Sequence, residues 1–101
     1  MTVYRRTDGH PVILAPKPDY FTRLHYRLRD RLPMWVVSNT TTREYPGKWM
    51  ARMHLSFPKA GPTRFVIVGD TLEDVRYALP DGVVCIGRKK GDAQEIVEVW
   101  L

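Results

Sequence analysis

The alternation of apolar and polar positions divides the chain into an arm, a helix, three strands, a second helix and two further strands. Phe21, Leu24, Leu28 and Leu32 recur at helical spacing and predict an amphipathic helix over residues 20–32. Arg23, Arg27, Arg29 and Arg31 fall on its other faces. Asp19 is the expected N-cap, because a carboxylate accepts the unpaired amide hydrogens of a first turn. Pro33 stops the helix. Met34–Val37 is a β-rich run, and Pro46-Gly47 punctuates the turn-like stretch after it. From Lys48 to Phe57 the alternation is clearest. Trp49, Ala51, Met53, Leu55 and Phe57 share one face, and Lys48, Met50, Arg52, His54 and Ser56 the other. Arg64–Val68 is apolar on both faces and predicts a central strand.

The second helix is expected over residues 71–79. Thr71 and Asp74 have capping-box spacing, and Leu72, Val75 and Leu79 form the buried stripe. Residues 83–86 and 95–101 read as two closing strands joined by a hairpin link at residues 89–93. Residues 1–18 read as an arm, broken by His10-Pro11 and Pro16-Lys17-Pro18, in which Val12-Ile13-Leu14 is a short apolar run able to add as an edge strand or dock on the core. Short turns within each strand group favour antiparallel pairing. The expectation is one α+β domain over residues 19–101: a single antiparallel sheet of about five strands with helical cover on one face, in the order α-βββ-α-ββ, behind an N-terminal arm.

Composition narrows the class. With 44% hydrophobic and 27% charged residues, the 101-residue chain has the usage of a globular domain rather than of a disordered one. One cysteine, Cys85, excludes a disulfide scaffold. No apolar run reaches membrane-spanning length, and the N-terminus lacks a leader's apolar stretch, so a soluble, cytoplasmic protein without membrane partners is expected. Sixteen Lys and Arg against eleven Asp and Glu give a net charge of +5. That charge is uneven: residues 1–33 and 34–69 each carry +4, and residues 70–101 carry −3.

Enzyme signatures are weak for physical reasons. His10, His25 and His54 are scattered, without the spacing of metal ligands. Cys85 lies between Val84 and Ile86 and reads as a small core residue rather than a nucleophile. Asp70, Glu73 and Asp74 sit where helix capping alone would place acids. Gly87–Gly91 is basic, but no helix follows to present its amides to a phosphate. No cofactor is expected. The basic side chains are the most substantial feature. Arg23 and Arg27 on the first helix, Arg43 and Tyr45 in the turn, Lys48 and Arg52 on the long strand, and Lys89 and Lys90 in the last link are the candidate contacts, with Tyr45 as an aromatic anchor. On one face they would bind an acidic protein surface, or RNA or DNA by counterion release. The apolar stripe of the first helix, or an edge strand, is a candidate homodimer surface.

The runs Trp35-Val36-Val37, Tyr45-Pro46-Gly47-Lys48 with Ala51-Arg52, Asp70-Thr71-Leu72-Glu73 with Arg76, Pro80-x-Gly82, Arg88, and Ile96-Val97-Glu98-Val99-Trp100 occur in that order. Over residues 34–101 the chain resembles a group of short uncharacterised proteins encoded by bacteriophages, prophages and proteobacterial genomes. The resemblance implies a setting rather than catalytic residues. Small phage proteins of this kind are often inhibitors of host defence, anti-CRISPR proteins among them. The combined expectation is a non-enzymatic binding protein that occludes a larger host protein or ribonucleoprotein, the alternative being a nucleic-acid-binding protein that uses a basic face.

Overall fold

The computed structural model describes residues 3–5 and 11–13 as backbone strands and residues 19–88 and 93–101 in full. Val3–Arg5 (β1) and Pro11–Ile13 (β2) pair antiparallel with each other, and β1 lies beside the edge of the main sheet. Val12 and Ile13 are thus in a strand, while Leu14 lies outside the described residues.

The domain core is a four-stranded antiparallel sheet in the order β5-β4-β3-β6, built from Met34–Ser38 (β3), Trp49–Leu55 (β4), Gly61–Gly69 (β5) and Ile96–Trp100 (β6). Helices Tyr20–Arg27 (α1) and Leu72–Ala78 (α2) cover one face. Phe21 and Leu24 from α1 and Val75 and Ala78 from α2 close over Trp35, Val37, Ala51, Met53 and Ile67. The Phe21 ring meets the Trp35 ring edge-on, with centroids 5.7 Å apart. The α+β class, the antiparallel pairing and the one-sided helical cover are as the sequence predicts. The strand count and the order are not.

The strand Gly61–Gly69 is an edge of this sheet rather than its centre. Its apolar character on both faces is nonetheless satisfied: Ile67 is buried under the helices, and Val66 and Val68 are buried on the opposite side. The chain then crosses through α2 to bring β6 against β3 at the far side. Residues 83–86 form no strand. They make a single bridge, Cys85 to Trp100, supported by Val84 N–H to Leu101 O at 2.8 Å and Ile86 N–H to Val99 O at 2.8 Å. Cys85 is therefore exposed rather than in the core. The link at residues 89–92 lies outside the described residues.

The first helix is shorter than its apolar stripe predicts. It ends at Arg27, tightens into a 3-10 turn over Arg29–Arg31, and leaves Leu32 left-handed at φ 52° and largely exposed. Tertiary bonding explains the early stop. The Arg31 carbonyl accepts the amides of Ser56 and Phe57 at 3.0 and 3.2 Å, tying the turn to the end of β4. Phe57, beyond that end, is exposed rather than on the buried face. Asp19 makes no side-chain cap; its carboxylate instead lies 3.4 Å from the Arg23 guanidinium. At α2 the sequence reading holds: the Asp74 amide donates to Thr71 Oγ1 at 3.1 Å.

Candidate binding surface on the open sheet face

Period-two alternation sends Val36, Ser38, Met50, Arg52, His54, Val66, Val68 and Val99 to the face that the helices leave uncovered. The register pairs them across strands: Val36 with Arg52 and Val99, Ser38 with Met50, Met50 with Val68, Arg52 with Val66. Five of these are apolar and buried, although among the described residues no helix covers them. Part of their cover is the β3–β4 connection, which folds back over the sheet. Local side-chain bonds shape it. Asn39 Oδ1 accepts the Thr41 amide at 3.0 Å and the Thr41 hydroxyl at 2.6 Å, and Gly47 N–H reaches the Thr40 carbonyl at 2.8 Å. Gly47 turns the chain at φ 79°, where a side chain would be strained. Tyr45 then packs on Met50, Val66 and Val68.

Between this connection and β6 lies an open cleft of about 560 Å³. Val36, Met50 and Ile96 line it with apolar surface. Ser38, Thr41, Thr42, Arg43, Glu44, Arg52, His54 and Glu95 supply polar groups. Arg52 is the strut of one wall. Its Nη1 donates to the Thr63 carbonyl at 2.7 Å and its Nη2 pairs with the Glu44 carboxylate. Burial, with the Arg52 charge as a second cause, pushes the His54 pKa below its ordinary value, so at neutral pH the cleft meets a neutral imidazole. Arg43 is exposed beside it and makes no ion pair among the described residues.

The helix-covered side holds a different set of polar groups. Arg76 on α2 grips Glu98 with two hydrogen bonds, Nε to Oε1 at 2.9 Å and Nη2 to Oε2 at 2.6 Å, and Trp100 Nε1 donates to Oε1 at 3.1 Å. These bonds, with the Arg76 hydrogen bond the largest cause, hold the Glu98 carboxyl below the usual carboxylate range.

The sequence-derived contacts separate in space. Arg43 and Arg52 meet at the cleft, with Tyr45 packed on the adjoining apolar patch. Lys48 stands at the start of β4, paired with Asp70. Arg23 and Arg27 belong to α1 on the opposite, helix-covered side, both exposed. Lys89 and Lys90 lie outside the described residues. The basic groups that the sequence gathers on one face are thus divided between two. Sequence reasoning passed over Glu44 and Glu95, the acids of the cleft. The available signal was weak: Glu44 is eight residues from Arg52, and only a turn folded back onto the strand brings them together. Among the described residues no group of three His, Cys, Asp or Glu side chains is placed to hold a metal ion, and no helix is long and apolar enough to cross a membrane. No protein-family model, curated protein or solved structure matches the chain.

Proposed function

We propose that this chain is a non-enzymatic binding protein, of the kind found among small phage proteins, that occludes a larger protein or ribonucleoprotein through its open sheet face. The observation that carries the reading is the asymmetry of the sheet. One face is sealed by two helices, while the other presents an apolar-floored cleft with acids and bases interspersed on its rim. A protein surface offers both signs of charge and apolar side chains, and can match such a rim. A phosphate backbone asks instead for cations gathered along one track. Here the Arg52 charge faces Glu44 and the Lys48 charge faces Asp70. A protein contact is therefore favoured over direct binding of RNA or DNA.

The test compares two charge reversals of exposed arginines on opposite sides of the sheet. Immobilised wild-type protein is challenged with host extract, the retained component is identified, and its affinity is measured for Arg43→Glu and Arg27→Glu. Loss of affinity in Arg43→Glu alone supports the open face. Equal loss in both variants, or loss only in Arg27→Glu, rejects it. Labelled nucleic acid titrated at two salt concentrations addresses the alternative: tight binding with a steep salt slope would make the chain a nucleic-acid binder.

A further inference from the structure

The cleft of the open face is lined by polar side chains that, among the described residues, have no partner. Ser38 is only 8% exposed, and its hydroxyl makes no hydrogen bond there. A hydroxyl so deeply buried is ordinarily paired, and leaving it unpaired costs stability. Glu95 stands beside it. Ser38 pairs with Ile96 across β3 and β6, and the next amide, that of Asn39, donates to the Glu95 carbonyl at 2.8 Å. The Glu95 carboxylate makes no ion pair among the described residues, and neither does the Arg43 guanidinium on the β3–β4 connection. The other charges of the cleft, Arg52 and Glu44, neutralise each other. An anion, a cation and a buried hydroxyl are thus left around the apolar floor of Val36, Met50 and Ile96.

We propose that this cleft receives a lysine or arginine side chain of the partner protein, borne on a segment that also carries a carboxylate for Arg43. The proposal rests on the open-face reading above and names what the partner presents there. Charge complementarity points to it. The aliphatic stem of a basic side chain lies on apolar surface while its head stays polar, which suits the floor of Val36, Met50 and Ile96. The head carries several donors and no acceptor, so it can serve the Ser38 hydroxyl and the Glu95 carboxylate together. An acid in that place would meet the Glu95 charge, and an apolar tip would leave both groups unpaired. Arg43 repels a lone incoming cation, and a carboxylate on the same segment removes that repulsion. A run of phosphates would face Glu95 with Arg43 as its one unneutralised cation among the described residues of the cleft, so nucleic acid is a poor match.

Short capped peptides test it. Each carries one lysine or arginine and one glutamate, at successive spacings, and is titrated into the isotope-labelled full chain while the backbone amide resonances are followed. At one spacing or more, binding should shift the Ser38, Asn39 and Glu95 amides. It should be at least about tenfold tighter than that of the same peptide with norleucine in place of the basic residue. Glutamine in place of the peptide's glutamate should also weaken it. Glu95→Gln should erase the preference for the basic residue over norleucine, and Arg43→Gln the preference for glutamate over glutamine, each leaving the other preference in place. The peptide comparisons on wild type need no variant, so they remain decisive if either variant fails to fold. Peptides that bind no better than their norleucine controls overturn the proposal, as do preferences that survive both substitutions or shifts confined to α1. Such a failure leaves the capture experiment with Arg43→Glu and Arg27→Glu untouched, so loss of this assignment and loss of the open-face reading are told apart.

Discussion

The Trp35 indole donates its N–H to Nδ1 of His25 across 3.2 Å of buried space between α1 and the sheet. Because Nδ1 accepts, the imidazole is neutral and carries its proton on Nε2. Burial lowers the His25 pKa below its ordinary 6.5. An imidazolium here would lose its acceptor atom and leave a charge in the core.

A pH dependence follows, and its sign is set by the lowered pKa values of both His25 and His54. As the pH falls below 6.5 the unfolded chain binds protons first, while the folded chain resists them. The stability these groups contribute is complete above 6.5 and is lost as the pH falls through 6.5 toward the lower folded values. Urea midpoints should therefore drop between about pH 7.5 and about pH 5.5. His25→Gln keeps an acceptor for the indole but does not titrate, so its midpoint should depend less on pH, the remainder coming from His54. An unchanged slope in that variant would contradict the assignment.

Glu98 is the one carboxylate that β6 turns toward the helices, and Arg76 and Trp100 hold it there. Removing the guanidinium in Arg76→Ala leaves a buried acid short of two donors. A cost of about 1–3 kcal/mol is expected at neutral pH, toward its lower end because the Arg76 side chain is 42% exposed. Glu98's lowered pKa fixes the direction of the pH effect. Its contribution is present above the ordinary carboxylate pKa and is lost as the pH falls through the lower folded value. Denaturation of wild type and variant should thus converge in acid.

Two members of one sequence stripe should behave in opposite ways. Phe21 is fully buried between the Tyr20 and Trp35 rings, whereas Leu32 is 63% exposed. Phe21→Ala is expected to cost about 3–5 kcal/mol, and Leu32→Ala to stay within about 0.5 kcal/mol. Chemical denaturation of the two variants measures both. Comparable losses would mean that the helix continues through Leu32 in solution.

That pair also marks where the sequence stops being legible. Elements whose evidence is local were readable: the alternation of β4, the Thr71 cap and the stripe of α2 depend on neighbours within a few residues. Leu32 was not, because helix spacing says nothing of the Arg31 carbonyl's distant partners, Ser56 and Phe57. The strand Gly61–Gly69 read as central because both its faces are apolar, yet an edge strand covered on both sides has the same pattern. Cys85 read as buried from its apolar neighbours, which are themselves exposed. The candidate surface was half legible. Alternation put Arg52 and His54 on the outer face, but only the folded-back β3–β4 connection shows that Glu44 meets Arg52 and that Arg23 and Arg27 lie elsewhere.

Arg52 should matter to stability and to the shape of the cleft together. It ties the β3–β4 connection, through Glu44, to the sheet, through the Thr63 carbonyl, with its own side chain 17% exposed. Arg52→Ala removes both ties. It is expected to cost about 1–2 kcal/mol, the Thr63 carbonyl losing a charged donor while the exposed Glu44 recovers solvent. Residues 40–47 should respond more than the global figure implies, because their remaining bonds are mostly local. The Gly47 and Lys48 amides, which donate within this connection, should exchange faster in the variant, while Val37 and Ile67 amides change only with global stability. Arg52→Lys should restore little of this, since one ammonium cannot match the guanidinium fork across two acceptors. Uniform acceleration of exchange across all four amides would mean that Arg52 supports the sheet as a whole and that the wall of the cleft stands without it.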